Sequence, residues 1–159
     1  MRRKDREITD RQAIFGIIES CQCCRIGFHD DGEVYIVPLN FGFEYEEERI
    51  VLYFHGAKEG RKIDLIAKSP RVGFEMDTNY EVYAKNNSGT ACTYTARFQS
   101  VIGTGKVSIV SDANEKKHGL LLLMRHMTKK SEWSFDEKML NAVAVFKLEV
   151  EKLSCKEHE

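Results

Sequence analysis

Apolar positions near the start of the chain recur at helical spacing. In TDRQAIFGIIESC, Ile14, Ile17, Ile18 and Cys21 occupy the i, i+3, i+4 and i+7 positions of one face, with Thr9 or Asp10 placed to cap the first turn. A helix is predicted over 9–21. The pattern then shortens: CRIGFHDDGEVYIVPLNFGFEY holds two β-rich runs split by Asp31-Gly32, a hairpin-turn pair, and IVLYFH follows the polar EEER. RKIDLIAK returns to helical spacing through Ile63, Ile66 and Ala67, giving a helix over 60–68 that stops before Ser69-Pro70.

RVGFEMD reads as a fourth strand, and TNYEVYAKNNSGTACTY as a long polar excursion with a short strand inside it. ARFQSVIGTGKVSIV is a long strand in which Gly103 and Gly105 mark a bend or bulge. SDANEKKHGLLLLMRHMT opens on the Asp112-x-x-Glu115 capping box and carries Leu120, Leu121, Met124 and Met127 at helical spacing, so a helix is predicted over 112–127. FDEKMLNAV adds a short helix over 135–141. VAVFKLEVEKL alternates Val143, Val145 and Lys147 with Ala144, Phe146, Leu148 and Val150, as a closing strand with one drier face does. About six strands, three or four helices and no βαβ alternation describe a mainly β, mostly antiparallel barrel with peripheral helices. A single domain over 1–159 is expected, its barrel spanning 23–150.

Composition narrows the partners. Hydrophobic residues make up 42% and charged residues 31%, as in a folded globular domain, and the formal charge of −1 supplies no positive field for nucleic acid. No stretch approaches the ~18 apolar residues of a membrane span, and MRRKDREITDRQ has no apolar signal core, so a cytoplasmic location is expected. Three of the five cysteines crowd into CQCC, where they cannot pair with one another in ordinary disulfide geometry. Cys21 and Cys24 form a CxxC with no second ligand pair at metal spacing, so reduced thiols and no metal centre are expected.

The stretch YFHGAKEGRKIDLI concentrates candidate chemistry. Gly56 and Gly60 let backbone approach a ligand, and Lys58, Arg61 and Lys62 surround the positive end of a helix. Cations there oppose the helix dipole, and an arriving phosphate would turn that cost into attraction. The other reading is a solvated basic turn. In YIVPLNFGF, Pro38 cannot donate a ladder hydrogen bond, so Pro38, Leu39 and Asn40 form either a border for a flat ring or a plain edge strand with a bulge. Gln99 and Ser100 are polar residues in an apolar strand, partnered by a ligand, by a second subunit, or by solvent and backbone. His126 and Trp133 near the end of the third helix are further candidates, His126 either because imidazole titrates near neutrality or as an electrostatic complement to the helix dipole.

Taken in order, the CR-initiated strand, YIVPLNFGF, LYFHGAKEGRKIDLI, SVIGTGKV, LLMRHMT and the FDEK helix resemble the pyridoxamine-phosphate-oxidase-related flavoproteins, and within them the 5-nitroimidazole resistance (Nim-type) group. The resemblance covers nearly the whole chain. It implies a six-stranded antiparallel split β-barrel of the FMN-binding type, a homodimer with FMN in clefts between subunits. His55, Lys58, Arg61 and Lys62, beside the bare backbone of Gly60, would hold the phosphate and ribityl tail. Pro38, Leu39 and Asn40 would border the isoalloxazine; Gln99, Ser100 and Val101 would add contacts; Trp133 and His126 would reach the site from the partner chain, His126 as the candidate proton donor. KLEVEKLSCKEHE has no counterpart to the C-terminal Trp and Arg substrate pocket of authentic pyridoxamine-phosphate oxidases. The implied activity is an FMN-dependent reduction of a small nitroaromatic. Alternatives are a related flavin reductase, a vestigial B6-phosphate enzyme, or a flavin- or haem-binding module with FAD or haem as cofactor, since any of His29, His55, His118, His126 and His158 is a possible axial ligand. A nucleic-acid-binding barrel is disfavoured by the charge.

Overall fold

A computed structural model of the chain describes residues 3–47, 49–86 and 89–159. Helix α1 (Arg11–Ser20) starts where Asp10 accepts a 2.8 Å hydrogen bond from the Ala13 amide. Two-residue strand β1 (Glu7–Ile8) precedes it, and β2 (Cys24–Asp30), β3 (Glu33–Leu39), β4 (Gly42–Glu46) and β5 (Arg49–Gly56) follow. Asp31 and Gly32, at φ 50° and 96°, make the tight turn between β2 and β3 that their sequence predicts. Next come α2 (Arg61–Lys68), β6 (Arg71–Ala84), β7 (Tyr94–Ile109), α3 (Ala113–Thr128), α4 (Glu137–Ala142) and β8 (Ala144–His158).

The strands form one antiparallel sheet in the order β3-β2-β6-β7-β8-β5-β4, with β1 on β8. Eight strands therefore replace the expected six or so. Two differences account for the change: β1 is too short to leave a periodic signal, and β4 separates from β3 after only Asn40 and Phe41. The polar excursion is not a loop with an isolated strand. Its ends prolong β6 and β7, because Val82, Tyr83 and Ala84 pair with Ala96, Thr95 and Tyr94. β8 runs on to His158, beyond the expected barrel limit at 150, held by β7 as far as Phe98.

Phe28, Phe41, Phe54 and Phe146 are fully buried inside the barrel with Ile26, Leu52, Met76 and Leu148. Val51, Tyr53 and Val145 point the other way and meet Val110 and Leu120 beneath α3. β5 is thus buried on both faces, which explains its unbroken apolar run. α3 lies directly on β4: a Cβ at Gly42 would sit 2.2 Å from the Leu123 amide nitrogen, a contact that no larger residue permits. The glycines flagged at 103 and 105 adjoin a register shift between β7 and β8 at Thr104, the irregularity their sequence predicts. Of the capping box at 112, half forms. Asp112 accepts from the Glu115 amide at 2.8 Å, while the Glu115 side chain accepts from Lys147 Nζ at 2.5 Å.

Candidate functional site

β5 ends at His55 and Gly56, and the chain turns through Gly60 into α2. Gly60 precedes the helix at φ 115° and ψ 169°, a backbone that an L side chain strains to adopt. It offers no capping side chain, so the first turn of α2 keeps its positive end open toward the loop.

The four cations of this region divide into two pairs. Arg61 donates from Nε and Nη2 to Asp30 Oδ2 at 2.9 and 2.8 Å and lies 4.4 Å over the Tyr35 ring. Lys68 reaches Asp31 at 2.6 Å. These two are neutralised by the β2–β3 turn. Lys58 and Lys62 have no carboxylate within 4.0 Å among the described residues. The Lys62 ammonium instead occupies the space over Gly56, where a Cβ would come within 2.7 Å of Nζ. Lys116 of α3 extends the positive cluster. Its Nζ donates to the Val143 carbonyl at 2.6 Å, and burial followed by the charge of Lys58 lowers its pKa. Partial burial, then Lys62, likewise lowers the pKa of His55, which pairs in register with Val145. The unpaired positive charge of the loop therefore centres on Lys58 and Lys62, while Arg61 is paired with Asp30. Lys116 carried no sequence signal, because its approach to Lys58 depends on where α3 lands.

Pro38, Leu39 and Asn40 end β3, an edge strand of the sheet, with Pro38 and Asn40 exposed. β3 pairs with β2 in regular register through Leu39, so no bulge accompanies the proline. Asn40 Nδ2 donates to the Gln22 carbonyl at 3.0 Å. Asp30, at the end of β2 before that strand's turn, pairs with Arg61 and so links the hairpin to the basic loop.

Gln99 obtains its partners within the chain. Its Oε1 accepts from Asn79 at 2.7 Å and its Nε2 donates to Glu157 at 2.7 Å. Ser100 lies half-buried opposite Asp77, and the Val101 side chain is fully buried in the core, which removes it as a side-chain contact for any cofactor. His126 also departs from its expected role. It is buried, with Nδ1 2.7 Å from the Phe41 carbonyl and Nε2 3.2 Å from that of Glu19, and it meets Phe41 edge-on at 4.5 Å. Both ring nitrogens lie against backbone carbonyls and brace α3 against α1 and the residue that precedes β4, a structural role. Trp133 donates from Nε1 to the Lys130 carbonyl at 3.3 Å and walls a separate cavity of about 250 Å³ with Lys117, His118 and Phe135.

A family model described as pyridoxamine 5'-phosphate oxidase matches residues 10–157. The chain belongs to that family. Among solved structures, a Bacteroides thetaiotaomicron protein named for 5-nitroimidazole antibiotic resistance is 32% identical, covering 95% of this chain and 86% of its own, with a TM-score of 0.80. The flavocytochrome Anf3 of Azotobacter vinelandii is 19% identical over 100% of this chain and 72% of its own, TM-score 0.77. An FAD- and haem-binding protein of Mycobacterium smegmatis is 16% identical over 97% and 74%, TM-score 0.79. The last two show the shared fold alone. Comparison with curated proteins gave no match.

Membership in the pyridoxamine 5'-phosphate oxidase family fits the split sheet and accounts for the match running almost end to end. All five cysteines are free thiols, with Cys21, Cys24 and Cys155 buried. No group of three or more metal-ligating side chains forms among the described residues, and no described helix is long and apolar enough to cross a membrane.

Proposed function

We propose that this chain is an FMN-binding oxidoreductase of the nitroimidazole- or nitroaromatic-reductase type, acting as a cytoplasmic homodimer. The observation that carries the reading is the pair Lys58 and Lys62, unneutralised beside a bare Gly56 and an open helix start. A phosphate monoester fits that donor set: two ammonium groups and a glycine-lined backbone approach. The 32% identical relative supports the nitro-compound class.

Lys62 and Lys58 would hold the phosphate, and His55 would sit beside it on the strand end. Pro38, Leu39 and Asn40 would border the ring, with the Asn40 carbonyl as an acceptor. FMN, when bound, supplies electron-pair transfer, leaving the protein to anchor, orient and exclude water. For a haem, His126 is the poorest axial ligand, since both of its ring nitrogens lie against backbone carbonyls, whereas His29, His118 and His158 each have one nitrogen engaged among the described residues. An apolar groove on the outer face of β3, β2, β6 and β7, about 400 Å³ and lined by Val34, Ile36 and Ile102, supports the homodimer.

The purified protein tests the proposal. A yellow flavin band whose cofactor, released by denaturation, is FMN is expected, together with loss of nitroimidazole when FMN-loaded protein is given a two-electron donor. A colourless protein with no FMN affinity overturns it, and a Soret band transfers the site to haem.

A further inference from the structure

β4 ends the path of the sheet, and among the described residues no strand covers its outer edge. Between that edge and the last turns of α1 and α3 lies a cavity of about 390 Å³. Its frame is fixed. Leu122, Arg125, His126 and Lys129 fall at i, i+3, i+4 and i+7 along α3 and its C-cap, one stripe of the helix. His126 Nε2 lies 3.2 Å from the Glu19 carbonyl, and Lys129 Nζ donates to Glu19 Oε1 at 2.7 Å, so α1 and α3 are tied together beside the cavity.

The wall on β4 is aromatic. Phe43 and Tyr45 share one face of the strand, their rings 6.3 Å apart and 24° from parallel, and Phe15 of α1 stacks on Tyr45 at 3.7 Å. His126 meets Phe43 edge-on at 5.6 Å, and Leu122 adds an aliphatic patch. Tyr45 still keeps 45% of its surface exposed. A flat ligand would find rings to lie against.

The charges around the cavity are unequally satisfied. Glu19 holds Lys129, and Glu44 accepts from the Tyr53 hydroxyl at 2.9 Å while its other oxygen lies 2.6 Å from His118 Nε2. Arg125 has no carboxylate within 4.0 Å and no side-chain hydrogen bond among the described residues. A lone guanidinium on a helix is ordinary surface charge. This one borders an aromatic cavity with its fork unfilled.

We propose that the cavity binds a small aromatic carboxylate, its ring against Phe43 and Tyr45 and its carboxylate on the Arg125 guanidinium. The planar fork of an arginine matches a carboxylate through two parallel hydrogen bonds. One negative charge suits the site better than two, because Glu19 and Glu44 repel a phosphate dianion. That separates the cavity from the basic loop of Lys58 and Lys62. Its volume lies near the lower end of the ~300–1,000 Å³ range of small-molecule sites, which suits a ligand of one or two rings. The site stands independently of the FMN reading.

Fluorine NMR titration of para-fluorobenzoate into the full-length chain tests it, with far-UV circular dichroism as the folding control. A saturable shift with a dissociation constant of about 1 mM or tighter is expected. Arg125→Gln should raise that constant ~10-fold or more. If that variant misfolds, Arg125→Lys, which keeps the charge and loses the fork, replaces it and should raise the constant ~3-fold. The neutral isostere para-fluorobenzamide should bind ~10-fold more weakly than the carboxylate. No saturable shift up to ~10 mM, a shift undiminished by Arg125→Gln, or equal binding of the amide overturns the proposal. A loss caused by Lys62→Ala and not by Arg125→Gln puts the anion at the basic loop and overturns it as well. Tighter binding of para-fluorophenylalanine makes the occupant a zwitterion and overturns the carboxylate class.

Discussion

The Lys62 ammonium lies over the bare Gly56 backbone, so close that a methyl there would come within 2.7 Å of Nζ. Lys62 has no carboxylate partner among the described residues, whereas its neighbour Arg61 is held by Asp30 at 2.8 Å. Lys62→Ala is therefore expected to lose about 1.5–3 kcal/mol of FMN affinity, ten- to a hundredfold. Arg61→Ala should lose less, and Asp30→Asn, which frees Arg61, should tighten binding. Quenching of flavin fluorescence gives all three constants, and an Arg61→Ala loss larger than that of Lys62→Ala would return the main anion contact to Arg61.

His55 gives binding a pH dependence. Partial burial and Lys62 hold its pKa below the usual value in the free protein. Its protonation is thus deferred on folding, and the associated stability is present above about pH 6.5 and is lost as pH falls through the folded value. A phosphate dianion nearby reverses the local field, so binding takes up a proton at His55. The ratio of wild-type to His55→Gln affinity should rise as pH falls from about 8 to about 6, the comparison cancelling the ligand's own titration. A ratio flat across that range would place His55 away from the phosphate.

The helices were legible because their signals are local. Asp10, Asp112 and Asp136 each cap the helix that follows, and the predicted limits fall within two residues of the observed ones. The Asp31-Gly32 turn was legible for the same reason. Distant pairings left less trace. Nothing in the basic loop announces that Asp30 will take Arg61, or that Lys116 will be carried toward Lys58 by the packing of α3 on Gly42. The outer ends of β6 and β7 read as an excursion because their Asn, Thr and Gly content suits a loop, while their strand character comes from cross-strand partners. Gln99 stood out as a polar residue in an apolar strand and His126 as an imidazole near a helix end, and both find partners within the chain.

His126 is expected to matter for stability and not for turnover. Replacing it by Ala removes the ring's contacts with the Phe41 and Glu19 carbonyls, to one of which a neutral imidazole donates, and leaves a cavity between Phe41 and Phe43. A cost of about 3–4 kcal/mol follows from the unpaired carbonyls and the lost packing. Urea midpoints report that loss, and the rate of nitroimidazole reduction per folded, FMN-loaded protein should remain within about threefold of wild type. A turnover loss of about a hundredfold with a normal urea midpoint would restore His126 as the proton donor.

The thiols separate by burial. Cys92 is exposed and Cys23 half-buried, whereas Cys21, Cys24 and Cys155 are enclosed. Burial raises the pKa of Cys21 to about 12 and that of Cys155 to about 11, and pushes Cys24 higher still, so none of the three supplies thiolate near neutrality. Ellman's reagent should therefore find one fast equivalent in the native protein, from Cys92, a slower second from Cys23, and all five only after unfolding. Cys92→Ser should abolish the fast phase.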